Sequence, residues 1–128
     1  MSIKQDLFFV EKLVEMMHNK KAEVVVNKHK FEIWCSISEN VGFVHIDTGN
    51  HINTNKVTDL TDFLRGHTPY MPTTTNEQLY LLVVEGAMKY ALSEEGMSRT
   101  TLDVLIGSIA EYRPEENEVI RRLFKGMK

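Results

Sequence analysis

His45, Asp47 and His51 are the residues whose types and spacing first suggest chemistry. On an extended segment His45 and Asp47 point the same way, and the Gly49-Asn50 turn folds His51 back toward them. Three N/O ligands of this kind suffice for zinc or non-haem iron with open coordination positions. A metal-dependent enzyme, with His45 as acid, base or ligand supported by Asp47 and His51, is therefore one reading. The spacing matches no metal motif of known helix or loop geometry, so neither a metal nor any other cofactor is expected. Cys35 is the one thiol, and it lies in the alternating run Phe31-Glu32-Ile33-Trp34-Cys35-Ser36-Ile37. There it shares a face with Phe31, Ile33 and Ile37, which predicts a buried structural thiol rather than a nucleophile. No glycine-rich phosphate loop, Gly-x-Ser-x-Gly, Cys-x-x-Cys or paired-carboxylate motif occurs.

The chain that must position these groups has 128 residues, the length of one domain, and residues 1–128 are expected to form it. Hydrophobic residues at 42% and charged residues at 26% exclude wholesale disorder and fibrous repeats. The net charge of −3 disfavours a protein that coats nucleic acid, which needs a basic field. One cysteine closes no disulfide within the chain, and a reduced, cytoplasmic setting is the expectation. The N-terminus lacks the apolar core of a signal peptide, and the longest apolar run, Leu79 to Val84, is far short of a membrane span.

The pattern predicts an α+β fold, a three-stranded antiparallel β-meander packed with about five α-helices. Ile3, Leu7, Val10, Val14 and Met17 form the stripe of a first helix over residues 4–19. Strands are expected at Ala22–Val26, Phe31–Ser38 and Phe43–Thr48, joined by the four-residue turns 27–30 and 39–42. In that register Val24 faces Ile33, Cys35 faces Ile46 and Ile37 faces Val44, so each apolar pair lands on one face. A linker-like tract, His67 to Thr75, leads into a helical second half. Helices are predicted over 57–65, ended by Gly66, over 77–93, over 98–112, and from Pro114 onward.

The same parity puts Glu23, Val25, Glu32, Trp34, Ser36, Phe43, His45 and Asp47 on the second face of the sheet. Aromatic area flanked by His, Ser and carboxylates is what a binding surface uses. Val25, Trp34, Phe43, His45 and Asp47 are thus the candidate binding residues. The leading expectation is a non-enzymatic binding or regulatory protein, a small inhibitor or adaptor, that holds another protein or a small ligand there. An apolar patch of Val25, Trp34 and Phe43 also predicts a homodimer, since a two-fold contact lets one patch serve both subunits.

The segment Tyr90 to Leu105 resembles a helix-turn-helix unit of the bacterial repressor type over about twenty residues. Ala91 stands on the first helix, Gly96 makes the turn, Ser98 caps the second helix, and Leu102 and Leu105 anchor it. The resemblance implies a DNA-binding regulator that presents Arg99, Thr100 and Thr101 to the major groove. Glu95 departs from the pattern, which places an aliphatic residue before the turn glycine, and Glu94 and Asp103 add negative charge.

Overall fold

The computed structural model describes residues 6–36, 40–68 and 73–127. The fold is α+β: α1 (Phe8–Glu15), β1 (Lys21–Val26), β2 (His29–Cys35), β3 (Val41–His45), β4 (His51–Thr54), α2 (Val57–His67), α3 (Asn76–Ser93), α4 (Arg99–Ile109) and α5 (Pro114–Gly126). Among the described residues the sheet has four strands rather than three, all antiparallel, in the order β1-β2-β3-β4. β4 escapes the sequence pattern because Ile52 is its only apolar residue. The expected helix start at Lys4, the end of the second strand at Ile37 and Ser38, and Pro69 to Pro72 of the linker lie outside the described residues.

The first hairpin turns tightly on Asn27 (φ 48°) and Lys28 (φ 70°), so Val26 pairs with His29 and Val24 with Phe31. Two successive left-handed residues match the twist of the flanking strands, which a longer turn does not require. The shift from the expected register is even. Ala22, Val24 and Val26 therefore keep their core-facing side with Phe31 and Ile33.

The second hairpin differs. Cys35 pairs with Val41 rather than Ile46, and Ile33 pairs with Phe43. This shift is odd, so β3 turns over. Phe43 and His45 face the core, and Val44 takes the outer side. Gly42 makes the turnover fit, because the Trp34 indole lies over it and a Cβ there would sit inside the ring.

The described helices that pack on the sheet all use the Val24, Ile33 and Phe43 side. α3 runs against β1 where Gly86 has no side chain, and a Cβ at that site would stand 2.9 Å from Val24 Cγ1. α1 lies against β2, with the Cys35 thiol donating to the Glu11 carbonyl at 3.1 Å, and Phe63 of α2 meets Phe31 edge-on. One core cluster joins them, with Phe9, Phe31, Phe43, Tyr80, Met88 and Leu102 among its largest members. Thr75 starts α3 with a capping box to Gln78, and Ser98 caps α4 by accepting from Thr101 N. Gly96 (φ 70°) makes the turn between those two helices. Gly66 is not a stop. α2 continues through it to His67, and Thr68 closes the end by donating to the Leu64 carbonyl.

Candidate functional site

The five residues expected on one surface separate. Val25 and Trp34 stand on the outer face, Phe43 (0% exposed) and His45 (3%) are buried on the core side, and Asp47 is exposed in the turn after β3. The outer face is more polar than expected. Glu23 sits directly opposite Glu32, and the diagonal pairs Lys21–Glu32 (3.3 Å) and Lys30–Glu23 (3.7 Å) balance the two carboxylates. Trp34 spends part of its surface on Gly42. No continuous apolar patch joins Val25, Trp34 and Phe43.

An open groove of ≈ 670 Å³ instead lies at the border of the sheet, between β1 and α3. Its strand wall is Glu23, Val24 and Val25, and its helix wall includes Leu82, Gly86 and Tyr90. β1 is an edge strand, and among the described residues no strand pairs with its outer side. Val25, at the outer lip of β1, is 54% exposed, and Leu82 on α3 is 40% exposed, so both rims of the groove carry accessible aliphatic surface. The rim carries Glu23, Glu85 and Glu94 against Lys89, whose ammonium is held by Glu85 at 2.8 Å.

Histidines gather at the end of the sheet where the β1–β2 hairpin turns. His45 Nε2 lies 3.0 Å from His29 Nδ1, and His45 Nδ1 lies 2.8 Å from Thr48 Oγ1. Ligand atoms of His29, His45 and Asp47 all fall within 4.8 Å of one another. The ring of His67, at the end of α2, stands 5.0 Å from that of His45. Burial lowers the His45 pKa from the usual imidazole value, and the neighbouring His67 and His29 push the same way, so the ring is kept neutral. His51 does not join this group. It is exposed on the outer face of β4, opposite Val44, and His29 occupies the place expected for it. His29 was hidden in the sequence because it reads as part of a four-residue turn. Its parity with Phe31 and Ile33 on β2 is the signal that places it.

Two other groups are settled by their neighbours. Burial, reinforced by Glu15 and Glu11, pushes the half-buried Cys35 thiol up to about 11, away from nucleophilic use at neutral pH. Arg99 of the helix-turn-helix segment has its guanidinium 4.3 Å from the Phe124 ring and donates to the Phe124 carbonyl at 3.1 Å. Thr100 and Thr101 are exposed beside it, and Asp103 is paired with Arg121 at 2.8 Å.

Glu116, which reads in sequence as a surface acid at the start of α5, is fully buried. It accepts a hydrogen bond from the Tyr80 hydroxyl, while its Oε2 has no hydrogen-bond partner among the described residues. Burial, the largest cause, pushes its pKa up to about 7.

Comparison with protein-family models, curated proteins and solved structures finds no match for this chain. No helix among the described residues is long and apolar enough to cross a membrane.

Proposed function

We propose that the chain is a non-enzymatic binding protein that takes up an extended segment of another protein in the groove between β1 and α3. The observation that carries this reading is the unpaired β1 edge flanked by an exposed aliphatic wall, Val25 on one side and Leu82 on the other. An incoming strand gains main-chain hydrogen bonds from such an edge, and alternate side chains enter the neighbouring cleft. The other edge, β4, is shorter by two residues, and the proposal does not place the partner there. Glu23 and Glu85 are each paired with one lysine and Glu94 adds a further carboxylate, so the rim carries a slight negative excess that favours a segment alternating aliphatic with basic side chains. Binding therefore moves from the centre of the sheet's second face, where sequence alone puts it, to that face's border.

Fluorescence anisotropy of a labelled octapeptide of alternating Val and Lys tests the proposal, with a Val/Glu peptide as control. The expected result is saturable binding of the basic peptide only, weakened at least about tenfold by Val25→Lys or Leu82→Lys. Equal binding of both peptides, or none, contradicts it. Two copies of the chain can also pair through their β1 edges. Light scattering that shows a dimer broken by Val25→Lys makes a second copy the occupant and overturns the foreign partner.

A further inference from the structure

We propose that His29, His45 and Asp47 form a binding site for a divalent transition-metal ion of the zinc class, with Thr48 as a positioning residue. The site lies apart from the β1–α3 groove and does not depend on the peptide-binding reading.

Backbone pairing brings the two imidazoles together. Phe31 is the direct cross-strand partner of His45, and His29 is two residues from Phe31 on the same strand face. The two imidazoles are therefore diagonal neighbours on one side of the sheet, and their ring nitrogens meet at 3.0 Å. Two nitrogen ligands on one tetrahedral ion at about 2.0–2.1 Å stand about 3.3–3.4 Å apart. The observed 3.0 Å is a few tenths of an ångström shorter, so the rings part slightly to admit the ion.

Orientation supports the same assignment. Thr48 Oγ1, 2.8 Å from His45 Nδ1, can accept its proton and leave the Nε2 lone pair aimed at His29. Metal-ligating histidines characteristically make this second hydrogen bond. Without the ion, one proton on His29 Nδ1 bridges the rings. With it, that proton sits on His29 Nε2, and the two rings turn so that both lone pairs meet the metal off the line joining the nitrogens. Phe31 backs the His45 ring at 5.1 Å, and His67 flanks it. His67 itself is committed, with Nδ1 2.9 Å from the Phe63 carbonyl and Nε2 3.1 Å from Asn50 Nδ2. It serves as a wall, not a ligand.

Asp47 completes the set with a negative charge. Ligand atoms of one ion can be at most about 4.2 Å apart at these bond lengths, and the exposed Asp47 side chain is the member free to rotate inward. Two imidazoles and a carboxylate suit zinc better than magnesium or calcium, and three protein ligands leave a fourth position for water.

Isothermal titration of zinc chloride into the chelator-stripped full chain at neutral pH tests the site. One equivalent should bind with a dissociation constant of about 10 µM or tighter. His29→Ala and Asp47→Ala should each weaken binding at least about tenfold, and Thr48→Val should weaken it about tenfold through loss of orientation. Because His45 is buried, these three variants at the accessible side carry the test, with thermal melting in chelator to verify that each is folded. His51→Ala should bind as the parent does. Absence of saturable binding overturns the proposal, as does one-equivalent binding that survives His29→Ala and Asp47→Ala or is lost in His51→Ala.

Discussion

Two of the seams that α3 forms differ in how they are finished. On the α5 side, the Tyr80 hydroxyl meets Glu116 among fully buried neighbours, and the carboxyl is accommodated by a raised pKa rather than by a counter-charge at contact distance. On the β1 side, Gly86 brings the backbones close, yet the seam opens above it into a groove lined by Val25, Leu82 and four charged side chains. A strongly shifted pKa is often taken as the mark of a functional site. Here it marks the sealed seam, where Glu116 has no access to a substrate. The open seam has a strand edge that no strand among the described residues pairs with. Availability to a partner is set by geometry first, and the shifted Glu116 lies on the side of α3 that offers no opening.

The largest expected effect sharpens the sealed side. Glu116 has a folded-state pKa raised to about 7, so the folded protein binds a proton that the unfolded chain releases near the ordinary carboxyl value. The stabilisation is full below that ordinary value and is lost as pH rises through about 7, a total on the order of 3 kcal/mol. Asp6 and Arg113, paired at 2.5 Å beside Glu116, act in opposite senses and leave burial dominant. Urea melts at pH 5 and pH 8 should show this loss, and Glu116→Gln, which keeps the acceptor for Tyr80, should remove most of it. A parent protein as stable at pH 8 as at pH 5 would place a charged Glu116 in contact with solvent and erase the contrast.

Gly86→Ala tests how tightly the second seam is drawn. The new methyl stands 2.9 Å from Val24 Cγ1 and 3.0 Å from Val24 Cβ, so either α3 or β1 must shift. Overpacking costs about 1–3 kcal/mol, against a gain of about 1 kcal/mol in helix propensity. The expected net loss is about 1 kcal/mol by thermal or urea melting, and a stabilised variant would mean that the two elements are not in close contact. The smallest effect belongs to the groove walls. Val25→Lys and Leu82→Lys place a charge where solvent already reaches, and each should alter stability by no more than about 0.5 kcal/mol. A loss of several kcal/mol at either position would make it core and close the groove.

What the amino-acid pattern reveals follows the same division. β1 and β2 are legible because only one parity of each is apolar, and an error of two residues in the turn leaves every side chain on its correct face. β3 is not, because Val41 and Phe43 on one parity compete with Val44 and Ile46 on the other, and Gly42 conceals which side Trp34 must cover. That ambiguity moved Phe43 and His45 to the wrong face and carried the expected patch with them. The structure brings ligand atoms of His45 and Asp47 near those of His29, whereas His29 and His67 come from the first residue of β2 and a helix end that only the folded sheet brings together. Glu116 suits a helix N-terminus electrostatically, which gives the sequence no reason to bury it. The groove leaves no local trace either. Its existence depends on β1 being the edge and on α3 crossing beside it.

The most direct test of partner binding at that border is amide chemical-shift mapping of the nitrogen-15-labelled full chain during titration with the Val/Lys octapeptide. Saturable shifts are expected along Lys21–Val26 and from Leu82 of α3 to Glu94, with His51–Thr54 at the opposite edge unmoved. Shifts centred on β4, on the histidine end or on Arg99–Thr101 would contradict it, and so would a titration that moves no amide.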